Sequence, residues 1–305
     1  MTQLLNYFVV IVGASLAVLV TAPTQAQILT DETLTRGERG HYLIEVMINE
    51  QGSFTFLVDT GASNTFLMQS SVEDLGLVAA ASHITNAQTV SGTVPVSFYD
   101  VENLTIGGLE LTQIRMVGAQ NANPTLLNDG VDGILGADVL RDYLVEFDQE
   151  ERRFRLNDRN TDLSNGREDW IQIPLRSGIA GLSFSEVRIN GAIVTALFDT
   201  GASRNIVNMS TAIAAGYQHA DPRASIDEPV IGFGGQSTPA FQASGANLVW
   251  GELTLDDQTV TISETPVFDM LGLSDGPAMI AGIPMLENRS FVVDYEQMIL
   301  WVAAM

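Results

Sequence analysis

The chain has 305 residues, with 37 acidic side chains against 14 basic ones, a formal net charge of −23 and no cysteine. All 14 basic residues are arginine, which excludes a Schiff-base lysine, a phosphate loop ending in Gly-Lys, thiol nucleophiles, disulfides and cysteine-ligated zinc or iron–sulfur sites. So acidic a chain repels phosphates, which argues against nucleic acid or an anionic membrane surface as its main partner.

The three histidines, His41, His83 and His219, are not spaced as a metal pair and read as surface or cap residues, so carboxylates are the catalytic groups left in quantity. At 46% hydrophobic and 17% charged, the chain is globular and long enough for one large or two medium domains. Frequent Gly, Thr, Val and Ile predict an all-β protein with short helices.

In chain order, residues 1–26 come first and carry no charged side chain; an apolar run from Phe8 to Val20 precedes Thr21-Ala22-Pro23-Thr24-Gln25-Ala26. This pattern predicts a secretory signal cut after Ala26, and hence an exported, periplasmic or secreted protein. The n-region has no Lys or Arg, so an uncleaved membrane anchor over residues 4–21 stands as the alternative. A short N-terminal segment, residues 27–39, leads into a first lobe over residues 40–158. A polar, turn-rich linker over residues 159–169 separates it from a second lobe over residues 170–305.

The lobes follow from a duplication. Leu57-Val58-Asp59-Thr60-Gly61-Ala62-Ser63 returns 140 positions later as Leu197-Phe198-Asp199-Thr200-Gly201-Ala202-Ser203. Beyond each copy a short helix is predicted, ending at Gly76 or Gly216, the first opened by a capping box from Ser70 to Glu73. A second repeated block closes each half: Gly133-Ile134-Leu135-Gly136 with Asp148 12 residues after Gly136, and Met279-Ile280-Ala281-Gly282 with Asp294 12 residues after Gly282. Asp138 has no counterpart in the second block, where Pro284 stands; Asp148 and Asp294 read as turn residues. Arg152, Arg153 and Arg155 read as a solvated strand or turn.

Each Asp-Thr-Gly follows an apolar strand and enters a turn, which places an aspartate at the end of a buried strand. An isolated buried carboxylate is costly, and a pseudo-two-fold axis gives each aspartate the other as partner. Two carboxyls about 3 Å apart cannot both ionise, so the pair holds one proton. The ionised member can accept a proton from water while the protonated member donates to a carbonyl oxygen. Ser63 and Ser203 either bond the nearby carboxylate or end the loop.

These residues resemble the pepsin and retropepsin clan of aspartic proteases, with both halves fused in one chain. The resemblance implies two pseudo-symmetric β-barrel-like lobes and an aspartic endopeptidase without metal or organic cofactor, acting on peptide or protein substrates. It implies Asp59 and Asp199 as the catalytic dyad, supported by Thr60, Gly61, Thr200 and Gly201. It also implies β-hairpin flaps over the substrate. Their candidates are Thr89-Val90-Ser91-Gly92-Thr93, with Ser91 and Gly92 at its tip, and Gly232-Phe233-Gly234-Gly235-Gln236, with Gly234 and Gly235 at its tip. Activity is expected at acidic to mildly acidic pH, and dimerisation is not required. Arg36 or Arg39 could take the place of a basic pro-segment. The alternative reading is a peptide-binding module on the same fold that does no chemistry.

Overall fold

The computed structural model describes residues 27–80, 85–119, 123–164, 166–217, 223–286 and 288–304; the predicted signal, His83 and His219 lie outside them. Two eight-stranded sheets repeat one topology. In lobe one the neighbour order is Thr35–Arg36, Tyr42–Ile48, Gln51–Val58, Gly133–Leu135, Phe66–Met68, Leu109–Ala119, Gly92–Ile106 and Thr85–Thr89. In lobe two it is Arg176–Ser177, Ser183–Ile189, Ala192–Phe198, Ala278–Ala281, Ile206–Val207, Leu253–Ile262, Phe241–Trp250 and Ala224–Ile226. Strand by strand the two orders correspond, so the duplicated sequence is a duplicated fold.

The strand leading into Asp59 is apolar on both faces. Phe54, Phe56 and Val58 enter the main core, while Leu57 joins Leu43, Met68 and Ile134 in a separate cluster on the other side. A strand buried on both faces reads as a continuous apolar run rather than a clean alternation, as Phe56-Leu57-Val58 does. The parallel pairing of Leu57 with Ile134, and of Leu197 with Ile280, brings the two repeated blocks of each lobe side by side.

A third sheet joins the halves. Its six strands run Ile28–Thr33, Arg153–Asn157, Leu144–Asp148, Phe291–Asp294, Ile299–Val302 and Ile171–Pro174. Phe147 pairs in register with Phe291, and their rings stack 4.4 Å apart. Tyr42 packs on Phe147 from lobe one, and Phe198 on Phe291 from lobe two. Each fully buried aromatic side chain contributes roughly 1.5–3 kcal/mol, so this cluster fastens the lobes at the level of the strands that carry the dyad. The segment before lobe one is itself built into the sheets: Asp31 is bound by both Arg153 and Arg155. Arg155 also bonds Asp148 and Glu151, so it is a largely buried hub rather than a solvated residue.

The helices are as short as expected and differ in their caps. Gly76 and Gly216 end theirs with φ of 62° and 82°. The capping box does not form, because Ser70 lies inside the helix Gln69–Asp74 and Met68 takes the cap position without a side-chain bond. The helix Met209–Ala214 is capped by Asn208, whose side chain accepts from Thr211 N–H.

Candidate active site

Asp59 and Asp199 come from loops 140 residues apart, and their side chains meet within hydrogen-bonding reach. Two features bring them there. The Thr60 hydroxyl donates to the Phe198 carbonyl at 3.1 Å and accepts from Thr200 N–H at 3.0 Å. The Thr200 hydroxyl donates to the Val58 carbonyl at 2.8 Å and accepts from Thr60 N–H at 3.0 Å. Both threonines are buried, so four polar main-chain groups that would otherwise be orphaned are paired across the lobe boundary.

The glycines supply room. A Cβ on Gly61 would stand 2.3 Å from Asp199 Cγ, and one on Gly201 would stand 2.4 Å from Asp59 Cγ. No side chain fits at either position while the opposing carboxyl is there. The motif therefore has glycine for the sake of the other lobe's aspartate.

The carboxyls differ in their surroundings. Asp59 Oδ1 accepts from Gly61 N–H at 2.8 Å and Ala62 N–H at 3.0 Å. Asp199 Oδ1 accepts from Gly201 N–H at 2.8 Å, and Ala202 N–H, which reaches the Asp199 main-chain carbonyl at 3.3 Å, also lies close enough to favour the ionised carboxylate. Burial pushes both carboxyls above the ordinary range, and it pushes Asp199 well above, with the charge of Asp59 adding to it. The pair thus holds one proton between the two carboxyls.

The dyad opens into a cavity of about 710 Å³ between the lobes. Its walls are mostly apolar, with Phe66, Phe98 and Leu126 from lobe one facing Leu182, Val267 and Met270 from lobe two. Two hairpins meet at this cavity. One turns between Thr89 and Gly92, the other between the strands Val230–Ile231 and Ser237–Thr238. Ser91 Oγ donates to the Val230 carbonyl at 3.2 Å, and Gln236 Nε2 donates to the Thr93 carbonyl at 3.1 Å. A Cβ on Gly234 would lie 1.9 Å from Val94 Cγ1, and Gly235 has φ of 78°, so the second tip needs glycine for space and for conformation. Phe233 reaches across to Phe66 at 5.3 Å.

Other predicted positions serve the scaffold. Ser63 bonds Asn64 rather than a catalytic carboxylate. Asp148 and Asp294 accept turn N–H groups from Glu151 and from Glu296 and Gln297. Asp138 binds Thr65 N–H and Oγ1, and Thr65 Oγ1 in turn accepts from Gly136 N–H. Neither Arg36 nor Arg39 bonds an aspartate of the dyad: Arg36 lies over the Tyr42 ring and Arg39 pairs with Glu228 of lobe two.

His41 departs from its reading as a surface or cap residue. It is buried in the cavity wall, and burial pushes its imidazole down, so it is neutral near pH 7. Its Nδ1 stands 3.7 Å from Asp129 Oδ2, beyond hydrogen-bond distance. Neither His41, just before a strand, nor the strand aromatics Phe66 and Phe98 has a sequence signal, since a residue facing a cavity looks like one facing a core.

A family model described as aspartyl protease matches the chain over residues 44–139 and 185–283. No curated protein sequence matches it. Among solved structures, the fold is similar to the aspartic proteinase from Irpex lacteus, with a TM-score of 0.58 and 17% identity over 90% of this chain and 97% of that one. At that identity the likeness shows the fold.

Proposed function

The chain belongs to the aspartyl protease family, and on that premise we propose that it is an endopeptidase in which Asp59 and Asp199 together activate one water for attack on a peptide carbonyl. The observation that carries this reading is the meeting of two buried carboxyls within hydrogen-bonding reach at the floor of a two-lobed cavity. Asp59, with two N–H donors on one oxygen, is the ionised member and takes a proton from the water. Asp199 carries the proton and donates it to the carbonyl oxygen as the tetrahedral intermediate forms. Collapse of the intermediate returns a proton to the leaving amine, with no acyl-enzyme on the path. Both aspartates come from one chain, so one copy holds a complete site.

The cavity's apolar walls suit an extended peptide with hydrophobic side chains near the scissile bond, and the joined hairpins would cover it. The test is cleavage of a peptide library from about pH 3 to about pH 8 by the wild type, Asp59→Asn and Asp199→Asn, with a statine-type inhibitor as control. Inhibitor-sensitive cleavage that both substitutions abolish is the expected result. Peptide binding without cleavage, equal in all three proteins, would replace this reading with that of a recognition groove.

A further inference from the structure

Eight of the 14 arginines are tied to carboxylates among the described residues. Three that are not, Arg36, Arg152 and Arg289, line a single cavity of about 560 Å³. It lies between the turn that follows Asp148, the residues before Phe291 and the last strand's exit at Ala303, and it shares no wall residue with the cavity of the dyad. In a chain of net charge −23, three arginines in one hollow without a carboxylate partner among the described residues call for a reason.

Arg289 states the problem most sharply. It is 8% exposed, its Nη1 donates to the Ala303 carbonyl at 3.1 Å, and no carboxylate among the described residues pairs with it. A buried charge ordinarily has a counter-ion, because an unpaired one forfeits hydration without return. Arg36 is held in place by its contact with the Tyr42 ring at 4.0 Å, by Nη1 donating to the Gly40 carbonyl at 2.5 Å and by Nη2 donating to Gln149 Oε1 at 3.1 Å, which leaves part of its five N–H donors for a ligand. Arg152 has no side-chain partner among the described residues, and its backbone has φ of 56° at a turn position suited to glycine. Asn288, on the opposite wall, has φ of 63°. Two non-glycine residues in left-handed conformation at one hollow cost stability, and such strain collects where a site needs its side chains aimed. Glu150, the one acidic residue in the wall, leaves the balance positive.

We propose that this cavity is a binding site for a small organic polyanion, held by the guanidinium forks of Arg36, Arg152 and Arg289. Planar forks match carboxylate and phosphate oxygens two at a time, and the volume suits a compact molecule with several such groups rather than a single ion. Gln149 and Ser290 line the same wall and bring further polar atoms to it.

The test is calorimetric titration of the purified protein with citrate and, separately, with pyrophosphate, each against sodium chloride of equal ionic strength. That reference is needed because any salt screens so acidic a chain. Saturable binding of at least one anion above the chloride reference is expected, and the tighter of the two identifies its class as carboxylate or phosphate. Arg152→Ala, an exposed and unpaired position, should fold normally and raise Kd at least about tenfold; Arg289→Met should do the same or more. Binding should be unchanged in Asp199→Asn, so the outcome stands apart from the fate of the protease reading. Heats no larger than those of chloride, or a Kd unmoved by Arg152→Ala, would overturn the proposal. So would binding seen only after deletion of Met305, which would make the chain's own end the occupant.

Discussion

Lobe one and lobe two share their strand order but secure their Asp-Thr-Gly loops by different side chains. In lobe one, Gly136 N–H is held by Thr65 Oγ1, and Thr65 is held in turn by the carboxylate of Asp138. In lobe two, Asn205 stands where Thr65 does, and its Oδ1 reaches Gly282 N–H directly at 3.1 Å. Pro284, in the place of Asp138, has nothing left to anchor. Both side chains reach the glycine N–H at 3.1 Å, and lobe one adds a carboxylate that takes up the hydroxyl proton and the N–H of Thr65. The duplication preserved a geometric need and let each half meet it separately. What the halves share without change at the interface is Asp, Thr and Gly at the loop tips, where the hydroxyls, N–H groups and glycines answer to the other lobe.

The sharpest way to break this comparison is at the dyad, where the lobes should be equal in chemistry and unequal in titration. Asp59→Asn and Asp199→Asn are each expected to lower kcat/KM by about 10³-fold or more, and the double variant by little beyond either single one, because the carboxyls act as a unit. A rate loss confined to one variant would dissolve the pair. Titration should separate them. Burial and the Asp59 charge hold the Asp199 carboxyl well above its unfolded value, so the folded protein keeps a proton that the unfolded chain releases. That contribution is present in full below the unfolded pKa and is lost as pH rises through the folded one. The wild-type Tm should therefore fall as pH rises from about 4 toward neutrality, and Asp199→Asn should flatten the slope more than Asp59→Asn does. Thermal melts across that range decide the order.

A smaller effect tests the anchors. Asp138→Ala strips Thr65 of acceptors for both its N–H and its hydroxyl, and is expected to cost about 2–3 kcal/mol. Asn205→Ala removes one acceptor, and its Nδ2 is already without a partner, so about 1–2 kcal/mol is expected. Urea unfolding of the two variants measures the difference. Equal losses would mean that Asp138 does no more than Asn205 and that the substitution of one device for the other is incidental.

Where the sequence was legible and where it was not follows the same division. The dyad, the threonines and the glycines stood out because the interface forces both halves to repeat them at one spacing. The hairpins at Ser91 and Gly234 were legible through glycines that the turns require. Asp138 could be set aside as a catalyst, but its actual partner, Thr65, lies 73 residues away, and a single sequence gives no hint of that bond. His41 was misjudged because the residue before a strand carries no mark of the wall it will face. The capping box at Ser70 failed for a related reason: the helix begins two residues earlier, since the buried Met68 ends its strand at that point and fixes the helix start. Local propensity named the helix, and packing chose its register.

That helix start offers the finest test of how independently the lobes are built. Asn208 caps the helix of lobe two, and the same Oδ1 accepts from Thr211 N–H at 2.9 Å, Thr211 Oγ1 at 2.9 Å and Ala278 N–H at 3.1 Å. Its Nδ2 donates to the Gly276 carbonyl at 2.8 Å, so one side chain ties the helix to the strand that runs on to Gly282. Asn208→Ala should cost about 1–2 kcal/mol, at the upper end of the range for lost caps. Asn208→Asp should recover little of that loss, because the carboxylate keeps the acceptor but sets a buried anionic oxygen against the Gly276 carbonyl. Lobe one has no side-chain cap to lose, since Met68 caps its helix without a side-chain bond and Ser71 Oγ, donating to the Asp132 carbonyl at 2.9 Å, ties that helix to its strand. If the alanine variant melts like the wild type, then packing of Thr211 and Ala212 fixes the second helix as well, and the lobes differ less than their hydrogen bonds imply.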